Sequence, residues 1–334
     1  MCTEFRLHRA ALPQAIEIGE CWARDGLQNE RTVIPTDHKV EMIERFVEMG
    51  IKVMEATSFA HPKLLPQFAD AEEVLKRIPR KEGVRYRAIC TTMKAVERAI
   101  ASKESGYGVD EIVMVISTSE PHNFANVNMS HKENKELCEK MTRMALDTGH
   151  AVFGWALTSF GCPIAGDVNP ADAIALGNWW KDVGATIIGF GDTIGSSNPM
   201  QVSNFYEYAL SEGYTTDEVV VHFHDTRGWG IANSMVALTY GFTHFDTSFG
   251  AIGGQPRTGA AEYQHGFAGN TCTEDLVGMF EEMGVSCGLD QQKMIAAGRR
   301  SEEILGHKCR SNYIDAGPVV HGGIKYDKEQ GILG

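Results

Sequence analysis

The chain has 334 residues, of which 43% are hydrophobic and 22% charged, the balance of an ordinary soluble globular protein. Its formal net charge of −13 argues against a nucleic-acid partner, because phosphate binding needs clustered Lys and Arg, but it does not exclude an anionic small substrate. The eight cysteines form no CxxC pair, which is typical of free thiols in a reducing compartment. There is no signal-peptide pattern and no run of the roughly 18 apolar residues that a membrane span needs. We therefore expect a cytoplasmic protein with no membrane partner.

Eight short β-rich segments alternate with helix-compatible stretches. The predicted strands are Ala15–Glu20, Lys52–Thr57, Val84–Cys90, Glu111–Ser117, Ala151–Thr158, Thr186–Phe190, Val219–His224 and His244–Ser248. Their spacing suits a strand, a helix and two connecting loops, so the pattern predicts an α/β fold of the (β/α)8 TIM-barrel type. An open doubly wound sheet is the alternative, but no GxGxxG or P-loop motif follows the first strand.

The segments between the strands carry apolar residues at helical spacing. TDHKVEMIERFVEMG begins with Thr and Asp and ends at a Gly, and HKENKELCEKMTRMALDTG and TEDLVGMFEEMG follow the same pattern. After Leu289 a further helical pattern, QQKMIAAGRRSEEIL, leads into a tail that contains Gly and Pro. We interpret residues 1–288 as the barrel domain that carries catalysis and residues 289–334 as a C-terminal helical and extended appendage packing on it.

The seventh predicted strand ends in VVVHFHDTRG and carries two histidines. His222 and His224 are two residues apart, so on a strand both side chains point to one face, which in a barrel is the interior. A barrel places its chemistry at the carboxyl ends of its strands, and two inward imidazoles there favour a divalent metal site. The alternative is a pair of core histidines satisfied by hydrogen bonds.

The ends of the first two strands carry charged side chains. Arg24 and Asp25 lie in ECWARDGLQNE at a strand-to-loop junction, before a Gly that permits an unusual backbone. Asp25 is a candidate ligand for the same metal, and Arg24 is a candidate to bind an enolate or a carboxylate, unless the two form a surface ion pair. Glu55, in VMEATSF at the end of the second predicted strand, has three possible roles. It pairs with a ligand, takes part in catalysis, or forms a structural ion pair with Arg24.

Later strand ends add three polar candidates. Asn270 precedes TCTED and is a candidate metal ligand through its carbonyl oxygen, or a cap for the helix that follows. Asp192, in GFGDTIG, is a further inward carboxylate candidate. Cys162, in GCPIAGDV, is interpreted as structural and not reactive.

In chain order, RDGLQNE, VMEATSFAHPKLLPQ, GCP, GDTIG, HFHDT and GN–x3–ED resemble the HMG-CoA lyase family over residues 15 to 290. The resemblance implies a Mg²⁺ or Mn²⁺ ion whose ligands are Asp25, His222, His224 and Asn270. It implies catalytic roles for Arg24, Asp25, Glu55 and Glu20. Such enzymes cleave a 3-hydroxyacyl-CoA thioester into a shorter acyl-CoA and a keto acid, through an enolate that a cation such as Arg24 can stabilise.

The loop after the last strand departs from the family pattern. Gln255, in GGQPRTG, stands where family members carry a catalytic cysteine, and the loop to Asn270 is longer than usual. Glutamine is neither acid nor base near neutral pH, so another group or water must protonate the enolate. The candidate proton donors are Tyr263, His265 and Cys272. Arg257 is a candidate to bind a substrate carboxylate.

These observations predict a divalent-metal-dependent lyase that acts on HMG-CoA or a related 3-hydroxydicarboxylyl-CoA thioester and forms a homo-oligomer. One alternative is a Claisen condensing enzyme of the same barrel group. Another is an acyl-CoA-binding barrel without catalysis, although a pure binder has no need for a complete set of metal ligands and enolate-stabilising residues.

Overall fold

The computed structural model describes residues 12–254 and 269–321, together with the backbone of 326–327 and 332–333. Eight parallel strands close into a barrel in which each strand pairs with the next and the eighth pairs with the first. The strands are β1 (Glu17–Glu20), β2 (Val53–Ser58), β3 (Arg85–Ile89), β4 (Glu111–Ser117), β5 (Ala151–Leu157), β6 (Ile187–Asp192), β7 (Val219–Phe223) and β8 (His244–Thr247). The predicted TIM barrel is confirmed, and the open sheet is wrong.

Helices connect the strands and continue beyond the barrel. They are α1 (Thr36–Met49), α2 (Ala71–Arg77), α3 (Met93–Glu104), α4 (Glu120–Val127), α5 (His131–Asp147), α6 (Pro170–Asp182), α7 (Pro199–Ser211), α8 (Gly230–Thr239), α9 (Thr273–Glu282), α10 (Gln291–Leu305) and α11 (Asn312–Ala316). Two short antiparallel strands, β9 (Tyr326–Asp327) and β10 (Ile332–Leu333), follow α11. No helix in the described ranges is long and apolar enough to cross a membrane.

Helix ends follow local rules with one difference from the expectation for α1. Gly50 adopts a φ of 116° and closes α1, as the sequence predicted. The start differs, because Pro35 occupies the N-cap and no side chain caps the helix. The hydroxyl of Thr36 donates a hydrogen bond of 2.7 Å to Asp70 instead. The predicted capping function of the Thr/Asp pair is therefore replaced by a tie to the segment before α2.

Side chains alternate between the barrel interior and the surrounding helices. Val113, Val115, Phe153, Trp155 and Val220 form an apolar cluster inside the barrel, whereas alternate strand residues pack under the helices. A Cβ at Gly189 would lie 2.2 Å from the Trp155 ring, so the glycine leaves the room that this large interior side chain needs. This alternation fixes which strand residues reach the active face of the barrel.

The segment after residue 289 lies against the barrel helices. Arg300 on α10 donates hydrogen bonds of 2.8 and 2.9 Å to Glu41 on α1. Ser301 accepts a bond of 2.8 Å from the indole Nε1 of Trp22. Asp275 on α9 accepts bonds from residues at the start of α11. These contacts attach α10 to α1 and to Trp22 after β1, and they attach α11 to α9.

Candidate active site

Three buried side chains converge at the carboxyl ends of β7 and β1. The Nε2 atoms of His222 and His224 lie 3.1 Å apart, and His224 Nε2 lies 3.9 Å from Asp25 Oδ2. One potential ligand atom from each residue falls within 4.8 Å of the others. Both histidines point into the barrel, as their spacing predicted. The cluster has the mixed imidazole and carboxylate donors of a divalent-metal site.

The local fold around Arg24 and Asp25 is a π-helical turn that spans Trp22–Gly26. The turn bends both side chains from the end of β1 back over the barrel mouth. Gly26 is needed for space, because a Cβ there would lie 2.8 Å from Ser248 Oγ and 2.9 Å from Ile252 Cγ1. The residue does not have a positive φ, so the unusual backbone that we expected at this glycine is not its reason.

Asn270, which is far from Asp25 in the sequence, also contacts the cluster. An isolated β-bridge pairs it with His224, and its Nδ2 donates a hydrogen bond of 2.8 Å to Asp25 Oδ2. Its Oδ1 is buried and has no hydrogen-bond partner in the described part of the chain. A buried carbonyl oxygen without a partner is costly, and a cation would satisfy it. Asn270 does not cap α9, because Cys272 occupies that position.

Arg24 connects the cluster to Glu55. Its guanidinium lies 2.6 Å from Glu55 and 2.8 Å from Asp25, and all three side chains are at least 90% buried. Arg24 Nε and Glu55 Oε1 are buried without a hydrogen-bond partner among residues 12–254 and 269–321. The structural ion pair that was one alternative is present, and it still leaves one donor and one acceptor free beside the metal cluster.

The pKa shifts of His222 and Asp25 favour metal binding. Burial, together with repulsion from His224, lowers the pKa of His222 to about 3, so this imidazole is neutral near pH 7. Burial alone would raise the pKa of Asp25, but Arg24 and the two histidines outweigh it and lower that pKa. Neutral imidazoles and an ionised carboxylate are the forms that coordinate a metal ion. Burial raises the pKa of Glu55, and Arg24 opposes that rise.

Glu20 lies on the opposite side of β1 from the cluster. Its carboxylate accepts hydrogen bonds from the backbone N–H of Trp22 and Phe249, at 2.8 and 3.0 Å, and from the Thr273 hydroxyl at 2.6 Å. Burial raises the pKa of Glu20 to about 8, although these donors oppose the rise. The hydrogen bonds of the Glu20 side chain therefore order the turn that carries Arg24 and do not involve Asp25, His222 or His224.

Asp192, a candidate inward carboxylate, is buried at the carboxyl end of β6. Burial raises its pKa, and hydrogen bonds from Ser197 and Ser196 and the attraction of His224 oppose that rise. Its carboxylate accepts hydrogen bonds from the backbone N–H of Ser196 and Ser197 and from the Ser197 hydroxyl. These hydrogen bonds lie in the turn after the strand.

The remaining candidates are divided between other contacts and undescribed positions. The Cys272 thiol contacts Glu274 at 3.0 Å, and burial raises its pKa well above the ordinary value, so it is a poor proton donor to the mouth. Cys162 Sγ lies 3.1 Å from Ser119 Oγ and accepts from two loop N–H groups, a structural arrangement. Four candidates fall outside the described residues: Gln255, Arg257, Tyr263 and His265.

Sequence reasoning missed a second group of charged side chains inside the barrel. Arg87 on β3 lies 2.5 Å from Glu111 on β4 and 3.1 Å from Asp246 on β8, and all three are buried. The available signal was a charged residue at the inward parity of three strands, a position that branched apolar residues usually fill in barrels of this type. Only the closure of the barrel shows that these residues meet.

Comparison with known proteins supports one family. The HMGL-like family model matches residues 15–300. A hydroxymethylglutaryl-CoA lyase of Bacillus subtilis is 36% identical over 294 residues, which cover 88% of this chain and 94% of the relative. The human mitochondrial hydroxymethylglutaryl-CoA lyase is 33% identical over 305 residues, 91% of this chain and 90% of the relative.

A solved structure agrees with these sequence matches. An HMG-CoA lyase from Acinetobacter baumannii, in complex with coenzyme A and 3-methylmalate, superposes with a TM-score of 0.85 at 32% identity. The match covers 93% of this chain and 98% of that one. The chain therefore belongs to the HMGL-like family and is a carbon–carbon lyase.

Proposed function

We propose that this enzyme cleaves HMG-CoA, or a closely related 3-hydroxydicarboxylyl-CoA thioester, into a shorter acyl-CoA and a keto acid. The observation that carries the proposal is the convergence of Asp25, His222 and His224 with the Arg24–Glu55 pair in one buried group. The names of the relatives and the coenzyme A in the Acinetobacter structure support an acyl-CoA substrate.

We assign Mg²⁺ or Mn²⁺ to this site. The ligands would be the two imidazoles, the Asp25 carboxylate and the Asn270 Oδ1, whose lack of another partner supports the assignment. Carboxylate and carbonyl oxygens suit both ions, and imidazoles bind first-row divalent metals. When bound, such an ion would lower the pKa of the substrate hydroxyl and neutralise charge on its carboxylate.

In this proposal Glu55 accepts a proton and Arg24 stabilises negative charge. Glu55 Oε1 is a free buried acceptor that can take the hydroxyl proton, while its other oxygen stays on Arg24. Breaking the carbon–carbon bond leaves a thioester enolate, and the fixed guanidinium of Arg24 stabilises that negative charge. Burial of both groups makes the stabilisation stronger than it would be in water.

The enolate carbon must then receive a proton. Cys272 is unsuited to this step, since its thiol bonds to Glu274. Tyr263, His265 and water are the donors we retain. Changing Tyr263 to Phe and His265 to Ala in turn, with single-turnover measurement of cleavage, separates them. Loss of the chemical step in either variant identifies a side-chain donor, and unchanged rates in both identify water.

The decisive test is a cleavage assay over a panel of 3-hydroxyacyl-CoA thioesters. Protein stripped with EDTA would be compared with protein reloaded with Mg²⁺ or Mn²⁺, and both products would be identified. We expect metal-dependent release of an acyl-CoA and a keto acid from HMG-CoA or a near relative. Failure to cleave any member of the panel with either ion would overturn the proposal.

A further inference from the structure

A second layer of charged side chains lies inside the barrel, next to the cluster of Asp25, His222 and His224. Arg87 donates from Nε to Glu111 Oε2 at 2.5 Å and from Nη1 to Asp246 Oδ1 at 3.1 Å. Its guanidinium also stacks over the Phe153 ring, 4.8 Å from the ring centroid. The arginine is 5% exposed, so its charge is held in place by these contacts and is hardly screened by water.

The strand register places this layer beside the proposed catalytic residues. Glu55 on β2 is the direct neighbour of Arg87 on β3, and both point inward. His222 on β7 is likewise the direct neighbour of Asp246 on β8. Directly opposed side chains on adjacent strands have Cβ atoms about 5 Å apart, close enough for the charges to interact. Arg87 and Asp246 therefore support one proposed catalytic residue and one proposed ligand.

The space for this layer is provided by Gly19 of β1. A Cβ on Gly19 would lie 2.1 Å from Asp246 Oδ1 and 3.2 Å from Arg87 Nη1. Any other residue at this position would push the ion pair apart. The absence of a side chain on β1 thus lets Arg87 reach across two strands to Asp246.

The balance of buried positive and negative charges indicates what Arg87 contributes. The buried carboxylates at these two levels of the described barrel are Asp25, Glu55, Glu111 and Asp246. The guanidinium groups that contact them are those of Arg24, Arg87 and the more exposed Arg85, which lies 2.9 Å from Glu111. Without Arg87, Asp246 would lose its arginine and the Arg24–Glu55 pair would lose the neighbouring cation on β3, while Glu111 would keep Arg85. An unpaired buried charge is strongly unfavourable, so the remaining groups would rearrange or take up protons.

We propose that Arg87 is a positioning residue for the reaction: its buried guanidinium, fixed by Glu111 and Asp246, keeps Glu55 paired with Arg24 in the arrangement that meets the substrate. This inference rests on the proposed function, since it assigns Glu55 and Arg24 to cleavage. Two pKa shifts agree with it. Burial raises the pKa of Glu55; Arg24 opposes the rise most strongly, and Arg87 adds a smaller opposing attraction. Burial also raises the pKa of Asp246 to about 7, again against the attraction of Arg87.

The test compares three variants with the wild-type holoenzyme. Arg87→Met removes the cation, Arg87→Lys keeps a charge there, and Arg87→Met with Asp246→Asn removes one charge of each sign. Steady-state kcat and KM, the Kd for Mn²⁺ and the Tm are measured for each. Arg98→Met, which breaks the Arg98–Glu72 pair between α3 and α2, is the matched control for loss of a partly buried ion pair outside the barrel.

We expect Arg87→Met to lower kcat about 10- to 100-fold, the range that loss of an outer-shell residue causes at metal sites, with a smaller effect on the Kd for Mn²⁺. Arg87→Lys should recover most of that kcat. The double variant should regain Tm because no carboxylate at position 246 is left without its arginine and Glu111 keeps Arg85, yet its kcat should stay low because the Arg24–Glu55 pair still lacks the neighbouring charge of Arg87. If Arg87→Met does not fold, the lysine and double variants carry the test.

Two results would overturn the inference. One is a double variant whose kcat returns to wild type together with its Tm, which would make Arg87 purely structural. The other is a folded Arg87→Met protein with wild-type kcat. A wild-type enzyme that cleaves no thioester in the panel would instead reject the proposed function, and the two failures are distinguished by measuring the wild type first.

Discussion

The interior of the barrel has two chemically different halves. On β7, β8, β2 and β3 the inward positions carry His222, Asp246, Glu55 and Arg87. On β4 to β6 the inward positions hold mainly Val113, Val115, Phe153, Trp155 and Ile187, with Glu111 near the bottom as the exception. The halves meet where the edge of the His222 ring contacts Trp155, at a centroid distance of 5.1 Å.

This division shows how a barrel can hold charges without losing its core. The apolar half supplies the packing that branched and aromatic residues give to most barrels of this type. It also excludes water from one side of the charged half, so Arg24 and the metal ligands act in a medium of low dielectric constant. If this account is correct, substitutions in the two halves have separable effects on activity and on stability.

The largest effect on activity is expected from His222→Ala. The variant removes a proposed metal ligand, so kcat/KM should fall by more than the roughly 100-fold that loss of a supporting residue causes at metal sites. The affinity for Mn²⁺, measured by calorimetry, should fall in parallel. His150→Ala is a suitable control, because His150 is also buried but lies before β5, at the opposite end of the barrel. Unchanged Mn²⁺ affinity in His222→Ala would reject the ligand assignment.

Arg24→Gln should lower kcat by about 100-fold, the usual cost of losing one strong electrostatic stabiliser. The effect should fall on kcat and not on KM, because the enolate charge that Arg24 meets arises late in the reaction. Arg98→Gln, which removes an arginine outside the barrel, serves as the control. A rise in KM alone would show that Arg24 binds the ground state and would contradict the role assigned to it.

Asp192→Asn tests a buried carboxylate whose hydrogen bonds lie in the turn after β6. The carboxylate holds two backbone N–H groups and one hydroxyl in the turn after β6. Its loss should reduce the free energy of unfolding by about 1–3 kcal/mol, measured by urea denaturation, because buried donors lose their acceptor. The kcat should stay close to wild type, and a fall comparable to that of Arg24→Gln would place Asp192 in catalysis after all.

The smallest effect on activity is expected in the apolar half. Val113→Ala removes buried methyl groups and should cost about 2 kcal/mol of unfolding free energy, from lost burial and an unfilled cavity. The metal affinity and kcat should be unaffected, since Val113 packs in the apolar cluster with Val115 and Phe153. A loss of kcat without a loss of stability would mean that the two halves are not separable.

The local patterns in the sequence were sufficient for the barrel itself and for part of the site. The eight strands were predicted with boundaries that shift by at most two residues, because period-2 alternation and helix end signals are local properties. The same alternation placed His222 and His224 inward. The proximity of Asp25 and Arg24 to those histidines was inferred from the shared location of strand ends in a barrel, which topology alone guarantees.

Only the tertiary structure decided the contacts that join distant segments. Residues 24 and 55 form an ion pair, Asn270 reaches Asp25 across 245 positions of the chain, and Arg87 reaches Asp246 across 159. Glu20 and Asp192 carry the same chemical group as Asp25, but their hydrogen bonds go to the turns that follow β1 and β6 and not to the cluster. The alternation of residues along a strand predicts which face of the barrel wall a side chain takes. The pairing of β8 with β1 and the space left by Gly19 determine which charged side chains meet inside the barrel.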